Sequence, residues 1–391
     1  MKIITIAAGL SGLIGITSVS AFDNYEEAFK LAQSRYDQGH YIRSAEFSHT
    51  ASEMTKNSKQ KYNALMLEGE ALRAGRDFVK AIKVFTQAEK VSGITTSSKN
   101  IAYCAKLRAL YLGKQYNLLM NTCTETLKSN PASKQRIRFS SFYGCLAAKG
   151  MGDFAKEQTM AKKLFQDEPD GSPWKVRGLL FRLQALCNLK KYDEAIDVIN
   201  AAQMQKIPLP MLAEWNVICG FCEEKAGDPN KALKFYEKAQ KYDQGYYQGL
   251  AFLRAGIIAS QKQATQQLAV TDFKKVLKSG AHPQHKIQAV YRCGELLGKQ
   301  KKYKEALVFL RNEESIKCNS RWRAEIFRLE GTIYHQQGKL AKAEYFLLAS
   351  LEQPGCPLKC KLAATGLLNK IKRERKDIEN RKTISENSAK S

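Results

Sequence analysis

The chain has 391 residues, 44% of them hydrophobic, with nine prolines and a formal net charge of +25. That hydrophobic share excludes a disordered polar chain, and the sparse prolines leave long intervals that helices can fill. The charge favours anionic partners of any kind and carries no information about fold.

The first segment, residues 1 to 21, begins with Lys2 after the initiator Met, runs apolar from Ile3 to about Ile16 and closes with Val19 and Ala21 in a small-x-small arrangement. This predicts an export signal cleaved before Phe22, and hence a protein of the periplasm or the extracellular space. The alternative is an uncleaved inner-membrane anchor over residues 3 to 22, which is just long enough to span a bilayer. Gly9, Gly12, Gly15 and the polar end weaken that alternative, and no cysteine follows the apolar run to carry a lipid.

From there a single register runs through most of the chain. Ser44, Ala81, Leu119, Glu157, Ala195, Ala232, Ala269, Ala306 and Ala343 follow one another at intervals of 37 or 38 residues. Such regularity identifies a stacked repeat architecture. Twelve residues before the anchor stands a glycine in the clearest copies, Gly69, Gly220, Gly294 and Gly331. Four residues after it stands a large side chain, as in Phe85, Ile199, Tyr236, Leu310 and Leu347. Small residues let two helices approach closely while large ones fill the space beside the contact, so each unit is predicted to be helix, turn, helix. The turns are expected in segments such as "NLKKYD", "KAGDPN" and "KQKKYK".

Three motifs along this array could carry chemistry. "CGFC", Cys219 to Cys222, has the spacing of a redox pair, but such a pair needs a preceding strand and a helix N-terminus to stabilise its thiolate. Trp215 precedes it in the same helix, so both cysteines are expected to pack structurally, with Cys219 the more buried beside Gly220. "HPQH" places His282 and His285 in a loop without a nearby acidic ligand, short of a metal site. "CPLKC", Cys356 and Cys360, opens the last helix, where small buried residues are the first expectation. No nucleotide-binding or hydrolase motif is present. The expectation is therefore a non-catalytic protein with no cofactor, no metal and no small-molecule substrate.

The segments "GDPNKALKFYEKAQKYD" (227 to 243) and "KKYKEALVFL" (301 to 310) resemble the tetratricopeptide repeat family, whose unit carries small and aromatic residues at these offsets. The departure is in length, since the family repeat is about 34 residues; helices longer by a turn would account for it. The resemblance implies an all-α, right-handed superhelical solenoid of about nine helix-turn-helix repeats with a C-terminal capping helix. Its expected organisation is a signal at 1–21, the repeat array at 22–355, and a capping helix with a basic flexible tail at 356–391.

The resemblance further implies a protein-protein interaction scaffold that binds a partner protein or peptide along the face formed by the first helices. The corresponding positions are Arg73, Arg108, Tyr111, Phe142, Lys149, Arg177, Asn188, Lys225, Tyr291, Lys299 and Arg328. Their basic character points to an acidic partner, with anionic envelope components as further possible contacts. The lysine and asparagine clamp that some family members use for chaperone tails is absent, because Phe29 and Gln33, or Met66 and Glu70, stand at the matching places. For an exported protein nucleic acid is not an expected partner. The alternative is an intracellular adaptor that binds nucleic acid or an acidic partner through its basic surface.

Overall fold

The structure, a computed structural model, describes residues 22–129, 133–202, 206–242, 245–316 and 319–388. The expected export signal, residues 1 to 21, lies outside them. Among the described residues there are helices and no strands, and no helix is long and apolar enough to cross a membrane.

Two compact units divide at Asp167 and Glu168. The first contains α1 (Tyr25–Asp37), α2 (Tyr41–Glu53), α3 (Ser58–Ala74), α4 (Phe78–Lys90), α5 (Thr96–Leu112), α6 (Tyr116–Lys128), α7 (Lys134–Met151) and α8 (Phe154–Phe165). The second begins with α9 (Pro173–Asn188), α10 (Tyr192–Ala202), α11 (Leu212–Ala226), α12 (Pro229–Tyr242) and α13 (Tyr246–Ala259). It continues with α14 (Gln266–Lys278), α15 (Pro283–Lys299), α16 (Tyr303–Leu310), α17 (Ser320–Gln336), α18 (Leu340–Glu352) and α19 (Leu358–Ser388). Odd-numbered helices up to α17 are the first helices of hairpins and even-numbered ones the second.

Every second helix starts three residues before its anchor, and all nine anchors, including Ser44, Leu119 and Glu157, are fully buried. The small-against-large pairing explains why the register is so strict. A side chain added at Gly69 would meet the Phe85 ring, at Gly220 the Tyr236 ring, at Gly294 Leu310 and at Gly331 Leu347. In each case the glycine sits on the first helix and the large residue four positions past the anchor on the second. Burying a side chain such as Phe85 or Leu310 contributes about 1.5 to 3 kcal/mol, and that gain requires the facing backbone to lie close.

The turns obey the same period. In eight hairpins the residue five before the anchor has positive φ: Gly39, Arg76, Lys114, Gly152, Lys190, Gly227, Lys301 and Gly338. The next residue's N–H then donates back to the carbonyl five positions earlier, as Asp77 does to Leu72 at 2.8 Å and Lys302 to Leu297 at 2.9 Å. This closes the last turn of the first helix and satisfies its end carbonyls. Four of these positions hold Lys or Arg in place of Gly, at a cost of about 1 to 2 kcal/mol each in backbone strain. A cation at a helix C-terminus offsets part of that cost. The ninth hairpin, α13 to α14, turns instead through a 3₁₀ segment, Gln263–Thr265.

The extra length of the repeat lies in the first helices. Those from α3 to α11 have 15 to 18 residues, against 11 to 14 for the second helices from α4 to α12. "HPQH" is a helix start: His282 caps α15, its Nδ1 accepting from Gln284 N at 3.2 Å, with Pro283 in the first turn. Cys356 and Cys360 pack with Ala324 in a small buried cluster at the start of α19. That helix buries Cys360, Ala364, Leu368 and Ile371. The basic segment beyond Ile371 continues it as a helix to Ser388, helped by a Lys370–Glu374 pair one turn apart and by Arg375, which reaches Glu344 at 2.7 Å.

Candidate protein-binding face

Within each unit the first helices touch one another as well as their hairpin partners. In the first unit α1, α3, α5 and α7 form one row; in the second α9, α11, α13, α15 and α17 form another, which α19 extends. Residues one repeat apart therefore stand side by side. Tyr25 donates its hydroxyl to Gln60 O at 3.2 Å, Tyr62 to Ser98 O at 2.9 Å, and the hydroxyls of Tyr103 and Ser140 lie 2.8 Å apart. These bonds tie each first helix of the first unit to the next.

In the first unit, Arg73 is held by Glu70 on its own helix, its Nε donating at 2.7 Å, and only 16% of its side chain is exposed. Arg108 is exposed on α5. Both guanidinium groups act on the buried Tyr143 hydroxyl, which donates to the Cys104 thiol; burial nevertheless raises the pKa of Tyr143, since it disfavours the phenolate more than the two cations favour it. Tyr111 stacks obliquely on Tyr116, and Phe142 lies edge-on to Tyr143. Lys149 is exposed at the end of α7 and acts on the Glu157 carboxyl.

In the second unit, Arg177 donates from Nη1 to both oxygens of the buried Glu214, at 2.8 and 2.7 Å. Asn188 is exposed at the end of α9. Lys225 is exposed and sits 5.5 Å from the Phe221 ring, which also carries the Arg254 guanidinium at 5.1 Å. Arg254 has a carboxylate partner, Glu224 at 3.2 Å, and Glu224 also accepts from the Tyr236 hydroxyl at 2.9 Å. Tyr291 accepts from Arg328 Nη2 at 2.9 Å, while Arg328 Nε donates to Glu325 at 3.1 Å. Lys299 pairs with Glu295 at 3.3 Å and remains 72% exposed.

The eleven expected residues thus divide by chemistry. Arg73, Arg177 and Arg328 are half-buried and matched to carboxylates, so they offer little free charge to a ligand; Arg177 and Arg328 also tie neighbouring first helices together, through Glu214 and Tyr291. Exposed pairs such as Lys299–Glu295 are worth about 0 to 1 kcal/mol and open readily. Arg108 and Lys225 are exposed and have no carboxylate partner among the described residues; Lys225 lies over the Phe221 ring, and Arg108 acts on the Tyr143 hydroxyl of the neighbouring first helix. Sequence reasoning missed Glu89, which binds Lys106 at 2.7 Å and Arg136 at 2.6 Å, and the Arg254–Glu224 pair. The Arg177–Glu214 pair and the Arg328–Tyr291 bond both span 37 residues, and that spacing is a signal the repeat register itself supplies.

On the other side of the first unit's row, α2, α3 and α4 enclose a groove of about 640 Å³ lined by Ile42, His49, Glu68, Lys80 and Lys83 among others. It holds carboxylates, a histidine and lysines without a nucleophile positioned beside a base. Among the described residues no group of three or more His, Cys, Asp or Glu side chains could hold a metal ion.

No protein family's sequence profile and no curated protein matches the chain. Solved structures similar to it include the APC/C hetero-tetramer Cut9–Hcn1, with a TM-score of 0.47 and 13% identity over 89% of this chain and 76% of that one. A tetratricopeptide repeat protein from Parabacteroides merdae gives a TM-score of 0.46 and 15% identity over 68% of this chain and 98% of that one. Likeness at this level leaves the assignment to the chain's own geometry, which is an all-α array of helical hairpins in tetratricopeptide-like register.

Proposed function

We propose that the protein is a non-catalytic scaffold of the cell envelope whose first-helix rows hold an acidic segment of another protein. The observation that carries this reading is the pair of exposed, carboxylate-free cations on first helices, Arg108 in one unit, which acts on the Tyr143 hydroxyl, and Lys225 in the other, beside the Phe221 ring. Within each unit by itself, an acidic peptide segment with apolar side chains matches an exposed cation on the first-helix row, since charge steers the encounter and apolar surface supplies the hold. The envelope location rests on the apolar segment of residues 1 to 21. Anionic envelope components are further contacts for a chain of net charge +25. That same charge favours a second reading, an intracellular adaptor for nucleic acid or an acidic partner, and fractionation of the native protein separates the two.

The test is photo-crosslinking in the native cell. A photoreactive side chain at position 108 or 225 is expected to capture a partner protein. The same group at Val308 or Tyr345, each 67% exposed on a second helix, is expected to capture none. Adducts confined to 308 and 345 would overturn the assignment of the face, and nucleic-acid adducts from 108 or 225 would favour the adaptor.

A further inference from the structure

The C-x-x-C stretch reads as a pair within one helix, but its second cysteine has a partner elsewhere. Cys222 Sγ lies 2.7 Å from Cys187 Sγ, on the neighbouring first helix and 35 residues away in the chain. Cys222 is fully buried and Cys187 is 7% exposed; Cys219, one turn before Cys222 on α11, is fully buried as well. Both cysteines of the motif are closed to solvent, and Cys219 lies the deeper of the two, as expected, while α9 covers the Cys222 side of α11. We propose that Cys187 and Cys222 form a disulfide that staples α9 to α11 when the protein meets a disulfide donor.

The placement supports each step of thiol–disulfide exchange. Cys187 is the next-to-last residue of α9, beside the hairpin turn, where a helix end opens most easily and a donor can reach the sulfur. Hydrogen bonding from the Cys222 thiol lowers the pKa of Cys187, and Lys225 acts in the same direction. The Cys187 thiolate attacks a donor R–S–S–R, forming a mixed disulfide and releasing one RS⁻. Cys222, giving its proton to that leaving thiolate, then attacks the Cys187 sulfur and releases the second RS⁻, which takes the proton first lost by Cys187. The balance is two cysteine thiols plus RSSR giving one protein disulfide plus two RSH. Cys219 has no such neighbour and stays a thiol. The bond would join two consecutive members of the first-helix row, so it would fix the spacing of the face that carries Arg177 and Lys225.

Peptide mapping tests this directly on the full chain. The reduced protein is incubated with oxidised glutathione under native conditions, unfolded in excess N-ethylmaleimide and digested with trypsin. The expected product joins the peptide 183–190, which contains Cys187, to the peptide 207–225 through Cys222, with Cys219 carrying the maleimide. Cys219→Ser should retain the cross-link, whereas Cys187→Ser and Cys222→Ser should each lose it. Because wild-type mapping needs no variant, the proposal stays falsifiable if a variant misfolds. Alkylation of all three cysteines after oxidation, or a bond from Cys187 to Cys219, would overturn it.

Discussion

Replacing Glu157 with methionine is expected to stabilise the protein by about 3 kcal/mol more at pH 8 than the same replacement does below pH 4.5, a figure that follows from about 1.4 kcal/mol per unit of pKa shift and the positions of the two pKa values. Glu157 occupies an anchor position where most repeats have alanine; it is fully buried, and neither carboxylate oxygen has a hydrogen-bond partner. Burial pushes its pKa up from 4.5 to about 7, with Lys149 pulling weakly the other way. The folded state therefore keeps a proton that the unfolded chain releases between about pH 4.5 and 7. Stability attributable to this group falls as pH rises through that window and stays at its lower level above it. Methionine has a similar size and no charge, so any packing difference it introduces is the same at every pH. Asp272, also raised by burial, to about 6, titrates equally in both proteins and cancels in the comparison. Urea unfolding of wild type and variant at several pH values measures the effect; a difference that does not change with pH would show that Glu157 ionises freely in the folded state.

Gly220→Val is expected to destabilise the second unit by about 3 kcal/mol, the upper end of the usual cost of overpacking a core. A Cβ at Gly220 would lie 2.7 Å from the Tyr236 ring. That ring is fully buried, and its hydroxyl is tied to Glu224 at 2.9 Å, so it cannot swing aside. The contrast is Gly366 in α19, where an added Cβ meets nothing within 4 Å. Gly366→Ala should stabilise by about 0.5 to 1 kcal/mol, because alanine is the better helix former. Denaturant midpoints of the two variants should move in opposite directions, and a tolerated valine at 220 would contradict the close-approach account of the repeat.

These two positions also show what the sequence made legible. The anchors, the facing glycines and the helix starts follow from one periodic constraint, close approach of two helices, and a periodic constraint leaves a periodic trace. Even Leu119 and Glu157, which break the alanine pattern, keep their places because their neighbours set the register. What sequence reading does not reach is pairing between helices at spacings other than the repeat. Cys222 reads as half of a local C-x-x-C, yet its partner Cys187 lies 35 residues back. Arg254 finds Glu224 across 30 residues. Among the expected binding residues, position on a first helix was legible, and so was the Arg177–Glu214 pair, whose 37-residue spacing is that of the repeat. Local pairings such as Arg73 with Glu70 depend on rotamers that no repeat spacing encodes.

The central claim is that the first-helix rows bind an acidic partner through cations not already paired within the fold. Its most direct test compares the affinity of two charge-reversed proteins for the partner captured by crosslinking, at low and at physiological salt. One carries Arg108→Glu with Lys225→Glu; the other carries Lys372→Glu with Arg373→Glu, both exposed on α19 and leaving the Arg375–Glu344 pair intact. The account predicts that the row variant binds about tenfold more weakly, a loss of about 1.4 kcal/mol, and with a shallower salt dependence, while the α19 variant binds as wild type does. Loss of binding in the α19 variant with full affinity in the row variant would contradict it and place the interaction on the C-terminal helix.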